Sequence, residues 1–545
     1  MHSVAIIGAG PGGLVAARYL RLAGFAPTLF EQSDGVGGQW RVGAPHSRVW
    51  PGMRTNTSRI LTAFSDLPHP PGTAVYPSAE QMQAYLGRYA EHFGLLTGAR
   101  FATRVEHVEP VAEGWRVRSR GPGGAPATET FSRVVVATGW CGRPVVPGVE
   151  GLASFTGRGG VTHAAAYRGA APFRGQRVLV AGGSISALEI ASELAHQGAA
   201  RVVVASRRQR YVAPKLVAGV PVDHVAFTRF AALAAESFPP AAVAAGLKAL
   251  LVGSSGNPAQ VGAPRPADDL FTAGLTLSQH YLPLVAEGRV VPRPWPARVA
   301  GGTAHFPDGS AEEVDAILFG TGYGPDLPFL STDVRTTLGL TGTAADGISG
   351  GASDAVPPQL CGLTFHPDLP GAAFVGLFEQ IGPHLPTLEL QARWVAYAWS
   401  GRAAMPAPDA APDRPRQGVP MQVAARLFAT ATGVEPDPEQ WPALARALYF
   451  GPLSPASFRL SGPDALPGAA ERVAADAGAF GAGADDALTP DQGTKLRALA
   501  EARGDAGLAA LVARLAGPGV HAPAGVRLGA PSAPSALAAA GLPAG

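Results

Sequence analysis

An α/β fold built around two βαβ units is what the sequence predicts, and three observations carry it. The stretch VAIIGAGPGG (4–13) runs an apolar strand into a glycine-rich turn. A second stretch, VLVAGGSISA (178–187), repeats that arrangement with substitutions. A chain of 545 residues also exceeds one hydrophobic core, at roughly 150 residues per domain, so both units have room.

The first unit reads in order. Val4-Ala5-Ile6-Ile7 is apolar throughout, as a parallel strand covered on both faces must be. Gly8, Gly10 and Gly13 then occupy the GxGxxG positions, with Gly12 between them. In that pattern the first glycine makes the tight turn, the second lets backbone approach a pyrophosphate, and the third allows close helix–strand packing. A helix follows, with Leu14, Ala17, Leu20 and Leu22 as its apolar contacts and Gly24 as its end. Its free N–H groups favour phosphate. The next strand, Thr28-Leu29-Phe30, ends at Glu31, 23 positions after Gly8, where a carboxylate accepts hydrogen bonds from a ribose.

The second unit keeps the spacing and changes the chemistry. Gly182 and Gly198 are 16 positions apart, as are Gly8 and Gly24. Ser184 replaces the second glycine and Ala187 the third; serine is small and its hydroxyl can meet a phosphate, and Ser186 joins it as a candidate. The strand Arg201–Val204 places Ala205 where Glu31 stands, followed by Ser206, Arg207 and Arg208. An acid there would repel a 2′-phosphate, whereas arginine binds one bidentately. One charged hydrogen bond of about 1.5–3 kcal/mol is roughly a 10- to 100-fold preference. The second unit is therefore expected to take NADP over NAD. With FAD on Glu31, the pair predicts a flavoprotein reduced by NADPH.

Composition excludes several classes. Net charge is +2, from 43 basic and 41 acidic residues, so no charge-driven nucleic-acid or membrane partner is expected. Cys141 and Cys361 form no CxxC pair, which argues against dithiol chemistry and suits a cytoplasmic location. The apolar region 231–252 carries Glu236, Lys248 and Pro239-Pro240, and is no membrane span. No export signal, metal cluster, nucleophile or carboxylate dyad stands out.

Several further stretches together resemble the flavin-containing monooxygenase family. They are GVGGQW (35–40), MRTNTSRILTAFSDLP (53–68), YPSAEQMQAYLGRYAEHFGL (76–95) and VVVATGWCGRPVVPGVEG (134–151). The family fingerprint F-x-G-x-x-x-H-x-x-x-Y/W is similar to FTGRGGVTHAAAY, through Phe155, Gly157, His163 and Tyr167, with two extra residues before His163. ILFGTGYGPDLPFL (317–330), HPDLPGAAFVGL (366–377) and LPTLELQARWVA (385–396) continue the likeness, which runs to about Phe480.

The resemblance implies two Rossmann-like domains: an FAD domain from 1–160 and 317–480, an NADP domain inserted at 161–316, and an extension at 481–545. It implies that NADPH reduces the flavin, that a C4a-hydroperoxyflavin forms with O₂, and that Asn56 hydrogen-bonds near it as the catalytic residue. The substrate would be an amine or thioether, as in an N,N-dimethylaniline monooxygenase. Gly38, Gln39, Trp40, Thr55, Thr138, Gly139, Thr321, Gly322 and Tyr323 join the cofactor-binding candidates. Trp40 and Tyr167 read equally as packing aromatics, and His163 as a satisfied loop histidine or a proton carrier. Two rivals stand beside this reading: a Baeyer–Villiger enzyme acting on ketones, whose fingerprint ends in Trp followed by Pro or Asp where Tyr167-Arg168 stands here, and a flavin sensor or oxidase without oxygen transfer.

The remainder is less informative. Segment 231–266 is alanine- and proline-rich and matches neither unit. Thr489-Pro490-Asp491 marks a helix start, with Leu496, Leu499, Leu508, Leu511 and Leu515 as an apolar stripe broken at Gly504 and Gly507. That stripe reads as a packing helix, or as a self-association face for a homodimer. From Gly517 onward disorder is expected.

Overall fold

Continuous apolar runs become the inner strands of two parallel sheets. The computed structural model describes residues 2–341, 356–407, 410–412, 418–480 and 487–515. Strand β1 (Ser3–Ile7) enters the turn that starts α1 (Pro11–Leu22), and β2 (Ala26–Phe30) follows. Helix α2 (Ala79–His92) begins with a capping box between Ser78 and Gln81. A meander of β3 (Arg104–Val111), β4 (Gly114–Arg120) and β5 (Pro126–Phe131) precedes β6 (Arg133–Val136).

The chain then crosses through β7 (Arg143–Pro144) into the second half. There it forms β8 (Gly160–His163), β9 (Arg177–Ala181), α3 (Ile185–His196) and β10 (Arg201–Ser206). Helices α4 (Val222–Ala226), α5 (Arg229–Ser237) and α6 (Pro240–Ser255) intervene before β11 (Val290–Pro294) and β12 (Ala316–Phe319). The return runs through β13 (Tyr323–Gly324) to β14 (Ala372–Phe374), α7 (Leu385–Trp399) and α8 (Met421–Thr432). Helices α9 (Ala445–Phe450), α10 (Ala469–Gly478), α11 (Pro490–Arg503) and α12 (Ala506–Leu515) end the described chain.

The first sheet has the order β2-β1-β6-β14 and the second β11-β10-β9-β12-β8, both parallel. Each is covered on both faces, which is why its strands read as unbroken apolar runs. In β1, Val4 and Ile6 join one core with α1 and α7, while Ala5 and Ile7 join another beneath the meander. In β9, Val178 and Val180 face α3, and Leu179 and Ala181 face the opposite core. The two units repeat at a constant offset: Ser3–Ile7 and Pro11–Leu22 recur as Arg177–Ala181 and Ile185–His196.

Some expectations change. Leu22 is 51% exposed, so the apolar face of α1 rests on Leu14, Ala17 and Leu20. Because β12 lies between β9 and β8, the second sheet keeps residues 316–319 and the return crossing follows Phe319, later than the boundary at 317. Segment 231–266 is helical, carrying most of α5 and all of α6. The leucine stripe is two helices, because α11 ends on left-handed Gly504; Leu496, Leu499, Leu508 and Leu511 pack on Leu233 of α5 and Tyr449 of α9. The segment from Gly517 lies outside the described residues.

Candidate functional site

The predicted glycines stand where backbone must meet backbone. A Cβ on Gly13 would lie 1.9 Å from the Gly8 carbonyl oxygen, so helix and turn touch as the fingerprint requires. A Cβ on Gly38 would lie 2.8 Å from the Gly10 Cα, and Gly37 N–H donates to Ala9 O at 3.0 Å. The GVGGQW segment thus packs directly on the first turn. Gly38 is needed for that contact, because a Cβ there would enter the Gly10 backbone, a reason the local pattern does not contain. Glu31 is 6% exposed; its carboxylate accepts the Ala9 N–H at 2.9 Å and the Ser33 N–H at 2.8 Å, which fixes it beside the turn.

The second turn is built by a different fit. A Cβ on Gly320, just after β12, would lie 2.7 Å from the Ala187 Cβ. Alanine at the third position is accommodated because a neighbouring strand supplies the missing space. Ser184 is the N-cap of α3, its side chain making no capping bond, and Ser186 lies in the first turn. Strand β10 continues through Ala205 to Ser206, and exposed Arg207 and Arg208 follow. Arg207 lies 5.7 Å from the Trp295 ring centroid, and Arg208 donates to Thr272 O at 2.9 Å. Among the described residues neither forms an ion pair, so both cations are open to an anion.

The segments leaving the carboxyl ends of the two sheets are linked at residues 143–145 and 321–324. Gly8, Glu31 and Thr138-Gly139 follow β1, β2 and β6; Gly182, Arg207, Thr321 and His163 stand at the same ends of β9, β10, β12 and β8. Arg48 spans the junction, donating to Cys141 O at 3.1 Å and Gly142 O at 2.8 Å while lying 5.8 Å from the Tyr323 ring centroid. The His163 ring stands edge-on to Tyr323 at 5.1 Å. Thr321 donates to Val145 O, and Tyr323-Gly324 pairs antiparallel with Arg143-Pro144, so residues 321–324 bind the crossing strands together.

Several candidates make defined contacts within the protein. His163 Nδ1 accepts the Ala165 N–H at 3.0 Å; burial, with Arg48 adding, holds the ring down to about 4. The ring is neutral at pH 7, with Nδ1 as acceptor and its proton on Nε2. Tyr167 is 2% exposed in the second core, edge-on to Trp50 at 5.3 Å. Trp40 packs partly buried on the first core, while Gln39 and Thr138 are exposed. Burial pushes the Cys141 thiol up to about 11, and both cysteines are free. Asn56 is half-buried, its Oδ1 shut off from solvent with no hydrogen bond, while Thr55 donates to Thr57 O at 2.8 Å. Arg48, Trp50 and Glu193 were not legible in the sequence, since their partners lie far along the chain.

Below Asn56 sits an unforeseen buried cluster. Asp223 Oδ2 of α4 accepts the Ser58 N–H, and the Ser58 hydroxyl meets His224 Nε2. Phe480 stacks edge-on against His224 at 5.0 Å. A second buried network joins Tyr19, Ser65, Glu389 and Arg459, fastening the segment before α10 to the first half.

Flavin-binding monooxygenase-like sequences match residues 1–412. The chain belongs to that family. This monooxygenase is 28% identical over 519 residues to flavin-containing monooxygenase 3 of Oryctolagus cuniculus, covering 86% of this chain and 91% of the relative. It is also 28% identical over 507 residues to the N-oxide-forming dimethylaniline monooxygenase 2 of Cavia porcellus, covering 86% and 90%. Its fold is similar to that of cyclohexanone monooxygenase from Rhodococcus sp. Phi1 bound to NADP⁺, with TM-score 0.52 and 19% identity over 74% of this chain and 85% of that one. FAD and NADPH are the cofactors of this family, and the chain is an oxidoreductase. Among the described residues no helix is long and apolar enough to cross a membrane, and no group of His, Cys, Asp and Glu could hold a metal.

Proposed function

We propose that this monooxygenase binds FAD on the turn 8–13 and NADPH on the turn 182–187, and oxygenates a soft nucleophile, an amine nitrogen or a thioether sulfur. One observation carries the reading: two turns of opposite charge preference, one beside Glu31 and one beside Arg207 and Arg208, lie at carboxyl sheet edges joined through Arg48. The backbone contacts Gly8–Gly13 and Gly10–Gly38 fit a pyrophosphate at the start of α1. The fingerprint ending Tyr167-Arg168 favours nitrogen or sulfur over a ketone.

The bound flavin supplies two-electron storage and activation of O₂. The chain's own residues orient and shield. Glu31 orients the ribose of FAD, and Arg207 and Arg208 take the 2′-phosphate of NADPH. Asn56 presents an amide whose Nδ2–H donates a hydrogen bond at the reaction centre without delivering a strong acid. Ser58, two residues along from it, and Asp223 and His224 are buried away from water.

The deciding experiment is anaerobic reduction of the purified yellow protein by NADPH, followed by air with a thioether, a tertiary amine or a cyclic ketone. Product matched to NADPH use with the first two supports the reading. Lactone formation would move it to ketones, and quantitative hydrogen peroxide would make it an oxidase. Asn56→Asp should uncouple NADPH use from oxygenation; full coupling would remove Asn56 from its role.

A further inference from the structure

Helix α3 carries two carboxylates one turn apart, and each holds a different part of the molecule. Glu189 accepts Lys215 Nζ at 2.8 Å and the Ser278 hydroxyl at 3.0 Å, both within the second half. Glu193 accepts the indole N–H of Trp50 at 2.7 Å, and Trp50 comes from the first half. Trp50 is 7% exposed and lies in the second core, against Tyr167. It stands between Arg48, which spans the junction, and Asn56; Met53 N–H donates to its carbonyl at 3.0 Å. One short segment thus carries the junction cation, the indole held by α3 and the candidate catalytic amide. The same α3 begins at the second turn.

We propose that Glu193 is a positioning residue for hydride delivery: by holding Trp50 it fixes the pyridine-nucleotide turn relative to the 48–56 segment of the flavin half. The inference rests on the two-nucleotide reading above. A charge-assisted hydrogen bond from a buried indole to a partly buried carboxylate is directional. Hydride transfer falls steeply with misplacement, by about 100-fold for 1 Å. Glu193 acts through Trp50 and touches no reacting atom, so its effect falls on the rate at saturating NADPH rather than on nucleotide affinity.

The test compares Trp50→Phe, Glu193→Ala, Glu193→Gln and the Trp50→Phe/Glu193→Ala double variant. In stopped flow, either Trp50→Phe or Glu193→Ala should slow flavin reduction at saturating NADPH by about 10- to 100-fold. Flavin content, reduction by dithionite and the melting midpoint should stay near wild type. Glu193→Gln keeps an acceptor oxygen and should recover the rate to within a few-fold. The double variant should fall no further than either single one, since both remove the same bond.

A second readout needs no cofactor. In ¹⁵N-labelled apoprotein the Trp50 indole N–H should be protected from exchange, and lose that protection in Glu193→Ala but not in Glu193→Gln. Should Glu193→Ala not fold, Trp50→Phe and Glu193→Gln decide the matter. Wild-type reduction rates in Trp50→Phe, or additive losses in the double variant, would overturn the inference and leave the proposed function standing. A flavin-loaded wild type that NADPH cannot reduce would overturn both.

Discussion

The carboxylate of Asp223 accepts the backbone N–H of Ser58 at 2.6 Å, and the ring of His224 lies 3.0 Å from the hydroxyl of the same serine. Burial acts on these neighbours in opposite senses. It raises Asp223 to about 6, against the hydrogen bonds from Ser58, and lowers His224 to about 4, with Arg59 adding. As pH rises from 4 through 6, an unfolded aspartate ionises before the folded one, so Asp223 removes stability, by roughly 3 kcal/mol in all. As pH falls from 6.5 through 4, the unfolded histidine gains its proton first, and His224 removes a similar amount. Asp223→Asn should therefore gain melting temperature relative to wild type on moving from pH 4 to 7.5, and His224→Gln on moving from 7.5 to 4. Parallel melting curves for all three proteins would refute the buried titrations.

Arg207 and Arg208 follow β10 with no carboxylate paired to either among the described residues. Replacing both by alanine should lower the NADPH-to-NADH ratio of kcat/KM by roughly 10- to 100-fold, leaving kcat with saturating NADPH within a few-fold. An unchanged ratio would show that the 2′-phosphate lies elsewhere.

Gly13 and Gly12 make a sharper comparison. A methyl group on Gly13 would meet the Gly8 carbonyl at 1.9 Å, whereas one on Gly12 meets the Val375 Cγ1 at 3.3 Å, which needs a shift of only a few tenths of an ångström. Gly13→Ala should cost more than about 2 kcal/mol and release flavin during purification, while Gly12→Ala stays yellow and melts close to wild type. The 450 nm absorbance per polypeptide reads the outcome.

Leu511 of α12 is fully buried beside Leu233 of α5 and Leu499 of α11. Leu511→Ala should lose about 2–5 kcal/mol of local stability, seen as faster proteolytic release of the C-terminal helices. Arg503 also reaches Glu236 at 3.4 Å, so the same cut should loosen α5. Undiminished resistance would mean the helices are held by other contacts.

Much of the fold was legible because its signals are local. Spacing alone aligned the two units, since a strand, a tight turn and a helix of fixed length impose the same interval twice. The swap of Glu31 for arginines was equally plain, because side-chain charge needs no partner to be read. What escaped depended on distant surfaces. Nothing in RVWPG says that Trp50 is buried in the other half of the molecule, and nothing around Gly320 says that it makes room for Ala187. The fingerprint residues His163 and Tyr167 illustrate the converse. Their spacing was visible, yet burial makes one neutral and the other a core side chain, facts that require neighbours from β13 and from segment 48–53.

The chain passes between its halves at β7 and again at β13, and those two passages are hydrogen-bonded to each other as Pro144 against Tyr323 and Arg143 against Gly324. Two independent tethers would let one half twist, slide and tilt against the other. A paired ribbon resists twist and shear while still bending across its thin dimension. Relative motion of the two halves is thereby constrained more in twist and shear than in bending across the ribbon.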